Sequence, residues 1–137
     1  MQTRDHGPTL NYITRTFVRE PQWMKPIRAE GERLRPGMQV SAYEGYMLQW
    51  LVQLSGAKNI LEIGTFMGTS TLWMAQGMGE GGHITALEFS AEYAAAATAH
   101  VALSPHAAKI DIMHTDAHAW IAASPGSNWR TRNRPAR

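Results

Sequence analysis

The chain has 137 residues, of which 44% are hydrophobic and 18% are charged, a composition typical of a globular protein with one folded domain. It contains no cysteine, which excludes a disulfide scaffold and a thiolate metal site and fits the reducing cytoplasm. No apolar run approaches the roughly 18 residues of a membrane span, and the N-terminus lacks the apolar region of a signal peptide, so we expect no membrane association.

The net charge of +2 is unevenly distributed. Residues 125–137 contain four arginines and no acidic residue, whereas residues 1–124 carry nine basic and eleven acidic side chains, a net charge of −2. A basic tail can contact nucleic acid, but this one is short and has neither helical nor strand periodicity. We therefore predict a basic, disordered tail over residues 125–137 and do not expect a nucleic-acid partner.

Residues 1–58 are predicted to form an N-terminal helical segment. Apolar residues recur at near-helical spacing between residues 8 and 20, which predicts a short amphipathic helix. Residues 22–35 are charged and helix-prone, although Pro26 and Gly31 interrupt them.

A capping box opens the next predicted helix of this segment. Ser41 and Glu44 have the S-x-x-E spacing of that motif, and Gly56 is suited to end the helix. The apolar face between them is formed by Met47, Leu48, Leu51, Val52 and Leu54. Since the cap accounts for Glu44, we do not treat this residue as a ligand.

From residue 59, strand and helix alternate three times. The predicted elements are strand 59–63, helix 69–76, strand 83–88, helix 91–103, strand 109–114 and helix 117–122. Ser90 and Asp116 are suited to cap the second and third of these helices. Because this alternation favours parallel strands joined by right-handed crossovers, we predict an α/β fold with a partial Rossmann-like core over residues 59–124.

A glycine turn follows the first predicted strand. Gly64 and Gly68 form the pattern E-x-G-x-x-x-G with Glu62, which lacks the third glycine of the dinucleotide fingerprint G-x-G-x-x-G. A carboxylate beside the turn suits a ligand with positive charge, such as S-adenosylmethionine (SAM), better than a pyrophosphate. Glu88 ends the second strand twenty residues after Gly68, where an acid accepts ribose hydroxyls in nucleotide-binding folds. An ordinary strand–helix turn with a solvated acid is the alternative.

Three side chains near the end of the third strand have the composition of a metal site: His114, Asp116 and His118. They span a strand end and a helix start, so the i, i+4 geometry of a helical histidine pair does not apply. A surface or capping role is favoured, and we predict no metal site within the chain.

Four blocks of the sequence together resemble the cation-dependent O-methyltransferases, which include the catechol and caffeoyl-CoA enzymes. The blocks are Met38–Ser41, Glu62–Ser70, Glu88 and Asp116–Ala117, and the resemblance covers about residues 8–122. It implies a class I SAM methyltransferase fold and transfer of a methyl group from SAM to a hydroxyl of a small phenolic or catechol-like acceptor. It also implies a divalent cation, Mg²⁺ or similar, that orients the acceptor oxygens and favours their deprotonated form.

The resemblance also implies roles for individual residues. Glu62, Gly64 and Thr65 would line the methionine part of SAM, and Ser70 would bind its carboxylate, which a helix N-terminus also favours. Glu88 would bind the ribose, and Met38 would lie near the transferred methyl group. The complete set of cofactor residues implied is Val40, Glu62, Gly64, Thr65, Ser70, Glu88, Asp116 and Ala117.

The chain departs from the family pattern at its C-terminal end. The family's metal carboxylates follow a fourth strand in a D-x-D-K segment, whereas this chain has no acidic residue after Asp116, and residues 124–137 do not resemble that strand. We therefore expect a form truncated at its C-terminus that keeps mainly the SAM-binding half, with unidentified catalytic residues. The first strand would have an open edge, which favours self-association or a homodimer. The alternatives are a non-catalytic SAM-binding or interaction fragment and, third, a dinucleotide-binding oxidoreductase domain.

Overall fold

A computed structural model describes residues 7–123 of the chain. The helices are α1 (Gly7–Phe17), α2 (Met24–Leu34), α3 (Ala42–Ser55), α4 (Thr69–Gly77), α5 (Ala91–Ala102) and α6 (Ala117–Ala122), with a short 3-10 helix at Ala107–Lys109. The strands are β1 (Asn59–Ile63), β2 (His83–Glu88) and β3 (Ile110–His114). The predicted alternation of strands and helices is confirmed, whereas the predictions for residues 124–137 lie outside the described part.

The three strands form a parallel sheet in the order β1-β2-β3, which confirms the α/β Rossmann-like prediction. Ile63 is paired with Leu87, and Glu88 with His114, so the carboxyl ends of all three strands meet at one edge of the sheet. In open α/β sheets, ligands bind outside these carboxyl ends. The topology thus brings the glycine turn after β1 together with the acid at the end of β2.

The two predicted caps of α3 are present. The Ser41 side chain accepts a hydrogen bond from the Glu44 N–H, and the Glu44 carboxylate accepts one from the Ser41 N–H at 2.7 Å. Gly56 ends the helix in the left-handed conformation, at φ 60°, which glycine adopts without a steric penalty. These caps satisfy backbone groups at both ends of α3 and fix where the chain enters β1.

Helix α2 differs from its prediction because neither Pro26 nor Gly31 interrupts it. Pro26 lies in the first turn, where a missing N–H costs little. Gly31 is buried, and a Cβ atom there would lie 2.4 Å from the Gln39 side-chain oxygen. The glycine therefore makes room for Gln39 against the helix rather than ending it.

The helices and the sheet share one hydrophobic core. Its buried members are Met24, Ile27, Val52, Leu72, Trp73, Ala75, Met78, Ile84, Val101 and Ile110. Since these residues come from both sides of residue 58, the predicted helical segment and the predicted cofactor core are packed together. The division of the chain at that residue stays a prediction.

One side of β1 carries no strand among the described residues, since β1 pairs with β2 alone in the three-stranded sheet of residues 7–123. Ile63, at the end of β1, is 61% exposed, and Trp50, Leu51 and Leu54 of α3 are also exposed. In the described region, no helix is both long and apolar enough to cross a membrane.

Close packing of α3 on α4 leads to a first prediction. A Cβ atom at Gly45 would lie 2.1 Å from Cδ1 of Trp73, which is fully buried and cannot move aside. Gly45→Ala should therefore destabilise the fold by about 1–3 kcal/mol through overpacking, measured by urea denaturation. Gly79→Ala is the matched control, because the nearest atom to its Cβ would be the Lys58 Nζ at 3.5 Å. Equal stability of both variants would show that the two helices do not pack this closely.

Candidate functional site

The turn between β1 and α4 has three residues in the left-handed conformation: Gly64 (φ 79°), Phe66 (φ 51°) and Gly68 (φ 84°). A Cβ atom at Gly64 would meet no atom within 4 Å, whereas one at Gly68 would lie 3.6 Å from the Ala97 Cβ. The two glycines therefore have different surroundings. Gly68 lies against α5, and Gly64 leaves open space through which another molecule can reach the backbone.

Phe66 holds a backbone conformation that non-glycine residues rarely adopt and that costs about 1–2 kcal/mol. Its N–H donates a hydrogen bond of 2.9 Å to Glu88 Oε2. Its ring is buried and makes an edge-to-face contact with Tyr93 at a centroid distance of 4.7 Å. The hydrogen bond and the ring contact hold the turn in this conformation. Sequence reasoning missed Phe66, because only the backbone geometry distinguishes it from an ordinary core residue.

Glu88 is buried and is held by backbone N–H groups. Oε2 accepts from Thr65 at 3.1 Å and from Phe66 at 2.9 Å, while Oε1 accepts from Ser90 at 2.9 Å. The residue predicted to bind a ribose is thus also the residue that joins the end of β2 to the glycine turn.

Glu62 points from β1 toward the first turn of α4. Its carboxylate accepts hydrogen bonds from the Ser70 hydroxyl at 2.5 Å and from the Thr71 hydroxyl, and the Thr65 and Thr71 hydroxyl oxygens are 2.5 Å apart. Burial raises the pKa of Glu62, although the hydroxyl hydrogen bonds from Ser70, Thr71 and Thr65 partly oppose this. Among residues 7–123, the hydrogen-bond partners of this carboxyl group are hydroxyl groups rather than cationic side chains.

Helix α4 begins directly after the turn, with Gly68 as its N-cap and no side-chain cap. The first N–H groups of a helix lack intrahelical partners and form the positive end of the helix dipole. Ser70, predicted to bind a carboxylate, lies in this first turn. Its hydroxyl donates to Glu62 in the structure, so it would have to rotate to donate to a ligand.

Gln39 links the loop before α3 to the glycine turn, and sequence reasoning missed it. Its side-chain oxygen accepts a hydrogen bond of 2.9 Å from the Thr69 hydroxyl, and its side-chain nitrogen donates to the Arg28 carbonyl. The neighbouring residues Met38, which is 56% exposed, and the half-buried Val40 are thereby held near the start of α4. No local pattern signals this role, because the partners lie 11 and 30 residues away.

The capping interpretation of Asp116 is confirmed. Its Oδ1 accepts from the N–H groups of His118 at 2.7 Å and Ala119 at 3.1 Å, at the start of α6. His114 Nε2 lies 3.1 Å from the carbonyl oxygen of Phe89. Within residues 7–123, no group of three or more histidine and acidic side chains converges where a metal ion could bind.

The predicted residues thus fall into three groups. Glu62, Thr65, Ser70 and Glu88 are joined through hydrogen bonds around the turn, with Gly64 between them. Val40 is held from one side through its neighbour Gln39. Asp116 and Ala117 follow β3 at the same edge of the sheet. Between the turn and β3 lies Phe89, which sequence reasoning also missed and whose side chain is 75% exposed.

Comparison with known proteins identifies relatives for this arrangement. The sequence model of the O-methyltransferase family matches residues 14–123. A catechol O-methyltransferase of Niastella koreensis is 44% identical over 66 residues, which are 48% of this chain and 30% of that protein.

Two solved structures have the same fold over most of the chain. An O-methyltransferase from Bacillus cereus in complex with SAH superposes with a TM-score of 0.78 and 27% identity, covering 91% of this chain and 56% of that one. The O-methyltransferase TomG from Streptomyces achromogenes, in complex with SAM, superposes with a TM-score of 0.80 and 25% identity, covering 93% and 58%. The chain thus spans a little over half the length of these structures and about a third of the curated relative.

The raised pKa of Glu62 leads to a second prediction. A carboxyl group with a raised folded-state pKa stabilises the fold below its unfolded pKa, and that contribution is lost as the pH rises through the folded-state pKa. Glu62→Gln removes the buried charge and should raise the Tm of the ligand-free protein at pH 7. A rise of about 2–4 °C corresponds to about 1 kcal/mol in a domain of this length.

Thermal unfolding between pH 4 and pH 8, followed by circular dichroism, checks this prediction. The advantage of the Glu62→Gln variant should disappear in acid, and the exposed Glu80→Gln should match the wild type throughout. A Glu62→Gln variant that is less stable than the wild type at pH 7 would contradict the prediction.

Proposed function

Because the chain belongs to the O-methyltransferase family, we propose that its glycine turn binds SAM for transfer of a methyl group to a hydroxyl of a small phenolic or catechol-like acceptor. The proposal is based on two enclosed carboxyl groups, Glu62 and Glu88, which lie on either side of the glycine turn. Between them, the backbone at Gly64 is accessible to another molecule. When bound, SAM supplies a methyl group on a positively charged sulfur. In this proposal Glu62 binds the methionine part of the molecule and Glu88 binds the ribose in its middle.

Glu62, Gly64, Thr65 and Ser70 bind the methionine part in this proposal. In the part of the chain that the structure describes, the partners of the Glu62 carboxylate are hydroxyl groups rather than cationic side chains, so an ammonium group of the ligand would offset the cost of its burial. The ligand's carboxylate faces the first turn of α4, where the Ser70 hydroxyl and the helix N–H groups donate. Met38 and Val40 approach this region through the Gln39–Thr69 hydrogen bond.

Glu88 binds the ribose. A carboxylate has about four acceptor positions, and backbone N–H groups use two on Oε2 and one on Oε1. Oε1 therefore keeps an acceptor position for a ribose hydroxyl. The hydrogen bonds from the protein fix the carboxylate in place, so little conformational freedom is lost when a hydroxyl binds.

The adenine lies between the carboxyl ends of β2 and β3. Phe89 offers an exposed ring directly after Glu88, and exposed aromatic faces stack well on bases. Asp116 and Ala117 form the other side at the start of α6. Asp116 Oδ1 accepts hydrogen bonds from N–H groups of α6. The adenine would therefore contact Ala117 and the other carboxylate oxygen of Asp116.

The divalent cation expected from the resemblance has no fitting set of ligands in the described region. His114 ends β3 and Asp116 follows it, and they contact the Phe89 carbonyl and the α6 backbone. The proposed role of the described residues is therefore confined to holding SAM.

The third prediction tests SAM binding by titration calorimetry. The wild type should bind SAM, and Glu88→Ala should weaken binding by about 10- to 100-fold, because one or more hydrogen bonds to a charged group are lost. Glu80→Gln, in the exposed loop after α4, is the matched control and should bind like the wild type. An absence of heat for the wild type would overturn the proposed cofactor, and tighter binding of NAD than of SAM would favour the oxidoreductase alternative.

We further propose that the chain self-associates through the open edge of β1. Unpaired edge strands with exposed apolar residues favour pairing with another chain, and Ile63 is 61% exposed at this edge. Trp50, Leu51 and Leu54 add exposed apolar surface on α3. The occupant proposed is a second copy of the chain.

The fourth prediction tests this association by sedimentation velocity over a range of protein concentrations. The wild type should show a concentration-dependent dimer, and Ile63→Lys should shift it to monomer, because a charge would be buried in the interface. Leu103→Lys, which changes an apolar residue 76% exposed at the end of α5, is the control. A wild type that stays monomeric at every concentration contradicts the proposal.

A further inference from the structure

His100 of α5 connects the glycine turn to helix α2. Its Nδ1 lies 2.9 Å from the carbonyl oxygen of Met67, one residue before Gly68. Its Nε2 lies 3.4 Å from Glu30 Oε2, and the imidazole side chain is only 12% exposed. A single buried ring therefore bridges the turn and two helices.

The partners of the ring determine its protons. A carbonyl oxygen only accepts hydrogen bonds, so Nδ1 carries a hydrogen and donates it to Met67. A carboxylate is also only an acceptor, so a favourable contact with Glu30 requires a second hydrogen on Nε2. The imidazolium form thus satisfies both contacts, whereas the neutral form keeps the Met67 contact and turns a lone pair toward Glu30.

The turn needs support of this kind because Phe66 is held in a left-handed conformation. Glu88 binds the N–H groups of residues 65 and 66, His100 binds the carbonyl of residue 67, and Gln39 binds the side chain of residue 69. Three side chains from separate parts of the chain therefore hold consecutive parts of the turn. Of these contacts, the one made by His100 directly restrains the last carbonyl before Gly68.

We propose that His100 is a positioning residue for the cofactor turn: its ring restrains the Met67 carbonyl, and its contact with Glu30 orients the ring. The inference rests on the proposed binding of SAM at the turn. The groups that face the ring are the Met67 carbonyl from the turn and the Glu30 carboxylate from α2. A turn that is already held in its binding conformation loses less conformational freedom when SAM binds, so the contact favours binding.

The contact with Glu30 contributes less than the contact with Met67. The Glu30 side chain is 48% exposed, and an ion pair with one exposed partner is weak. The hydrogen bond to Met67 is more enclosed. Loss of the whole ring should therefore weaken the turn more than loss of the charge on Glu30.

Two measurements on a set of variants test the proposal. Hydrogen exchange of the backbone amides at residues 65–70, without SAM, reports on the turn itself. Titration calorimetry with SAM reports on binding. His100→Ala should speed exchange in the turn and weaken SAM binding, each by about three- to tenfold, the worth of one neutral hydrogen bond.

Conservative variants separate positioning from a general loss of packing. His100→Asn keeps an N–H donor, so it should recover part of the lost affinity. Glu30→Gln removes the exposed charge but leaves the Met67 contact, so it should change exchange and affinity less than His100→Ala does. His83→Ala is the matched control, because His83 Nε2 also faces a carboxylate, Asp111 Oδ2 at 3.1 Å, away from the turn.

Each outcome decides between the two claims. Unchanged exchange in the turn of His100→Ala overturns the positioning role, and so does an equal effect of His83→Ala. A wild type that binds no SAM overturns the proposed function, and hydrogen exchange then still tests the role of His100. A Glu30→Gln variant that speeds exchange in the turn as much as His100→Ala overturns the claim that the Met67 contact is the main restraint.

Discussion

The arrangement of this site depends on the hydrogen bonds between the Glu88 carboxylate and the backbone of the glycine turn. They join residues 22 and 23 positions apart in sequence, and they satisfy N–H groups that would otherwise be buried without partners. An unpaired buried polar group costs about 1–3 kcal/mol, comparable with the cost of the left-handed conformation at Phe66. The hydrogen bonds from Glu88 therefore offset the cost of the strained turn and set its orientation. The ring contact between Phe66 and Tyr93 adds apolar packing.

The two carboxyl groups of the site differ in their hydrogen-bond partners, which are backbone N–H groups for Glu88 and hydroxyl groups for Glu62. This difference suits them to different parts of a ligand. Glu88 accepts from three backbone N–H groups, so the protein itself holds this carboxyl group in a fixed position. Glu62 has hydroxyl partners and a pKa raised by burial, so its charge costs stability until a positive group arrives. Stability given up at a binding site in this way is regained when the ligand binds. If both carboxylates had backbone N–H partners as Glu88 does, the site would discriminate less between a cationic and a neutral ligand.

The sequence predicted those parts of the fold that depend on local pattern. Strand β2 and helix α6 begin and end where predicted, and the capping box at Ser41 and the left-handed Gly56 are present, because each depends on residues within a few positions. The contacts of Glu88, Gln39 and His100 with the turn were not predicted, since they arise from strand register and helix packing across 22 to 33 residues. Gly31 was misread for the same reason, because its neighbour Gln39 is brought to it by the tertiary fold. The family resemblance identified residues around the turn, but it did not indicate which of them form hydrogen bonds with one another.

The short strand β1 connects the cofactor turn with the open edge of the sheet. Glu62 lies on the strand itself, Gly64 follows it, and the exposed Ile63 lies between them. Side chains alternate between the two faces of a strand, so Glu62 points to α4 while Ile63 points to the opposite face. A strand that pairs along this edge would therefore lie within one strand spacing, about 5 Å, of the residues proposed to hold the methionine part of SAM. A segment that covers this edge would therefore lie beside the proposed position of the methyl donor, so β1 links the cofactor turn to the edge of the sheet.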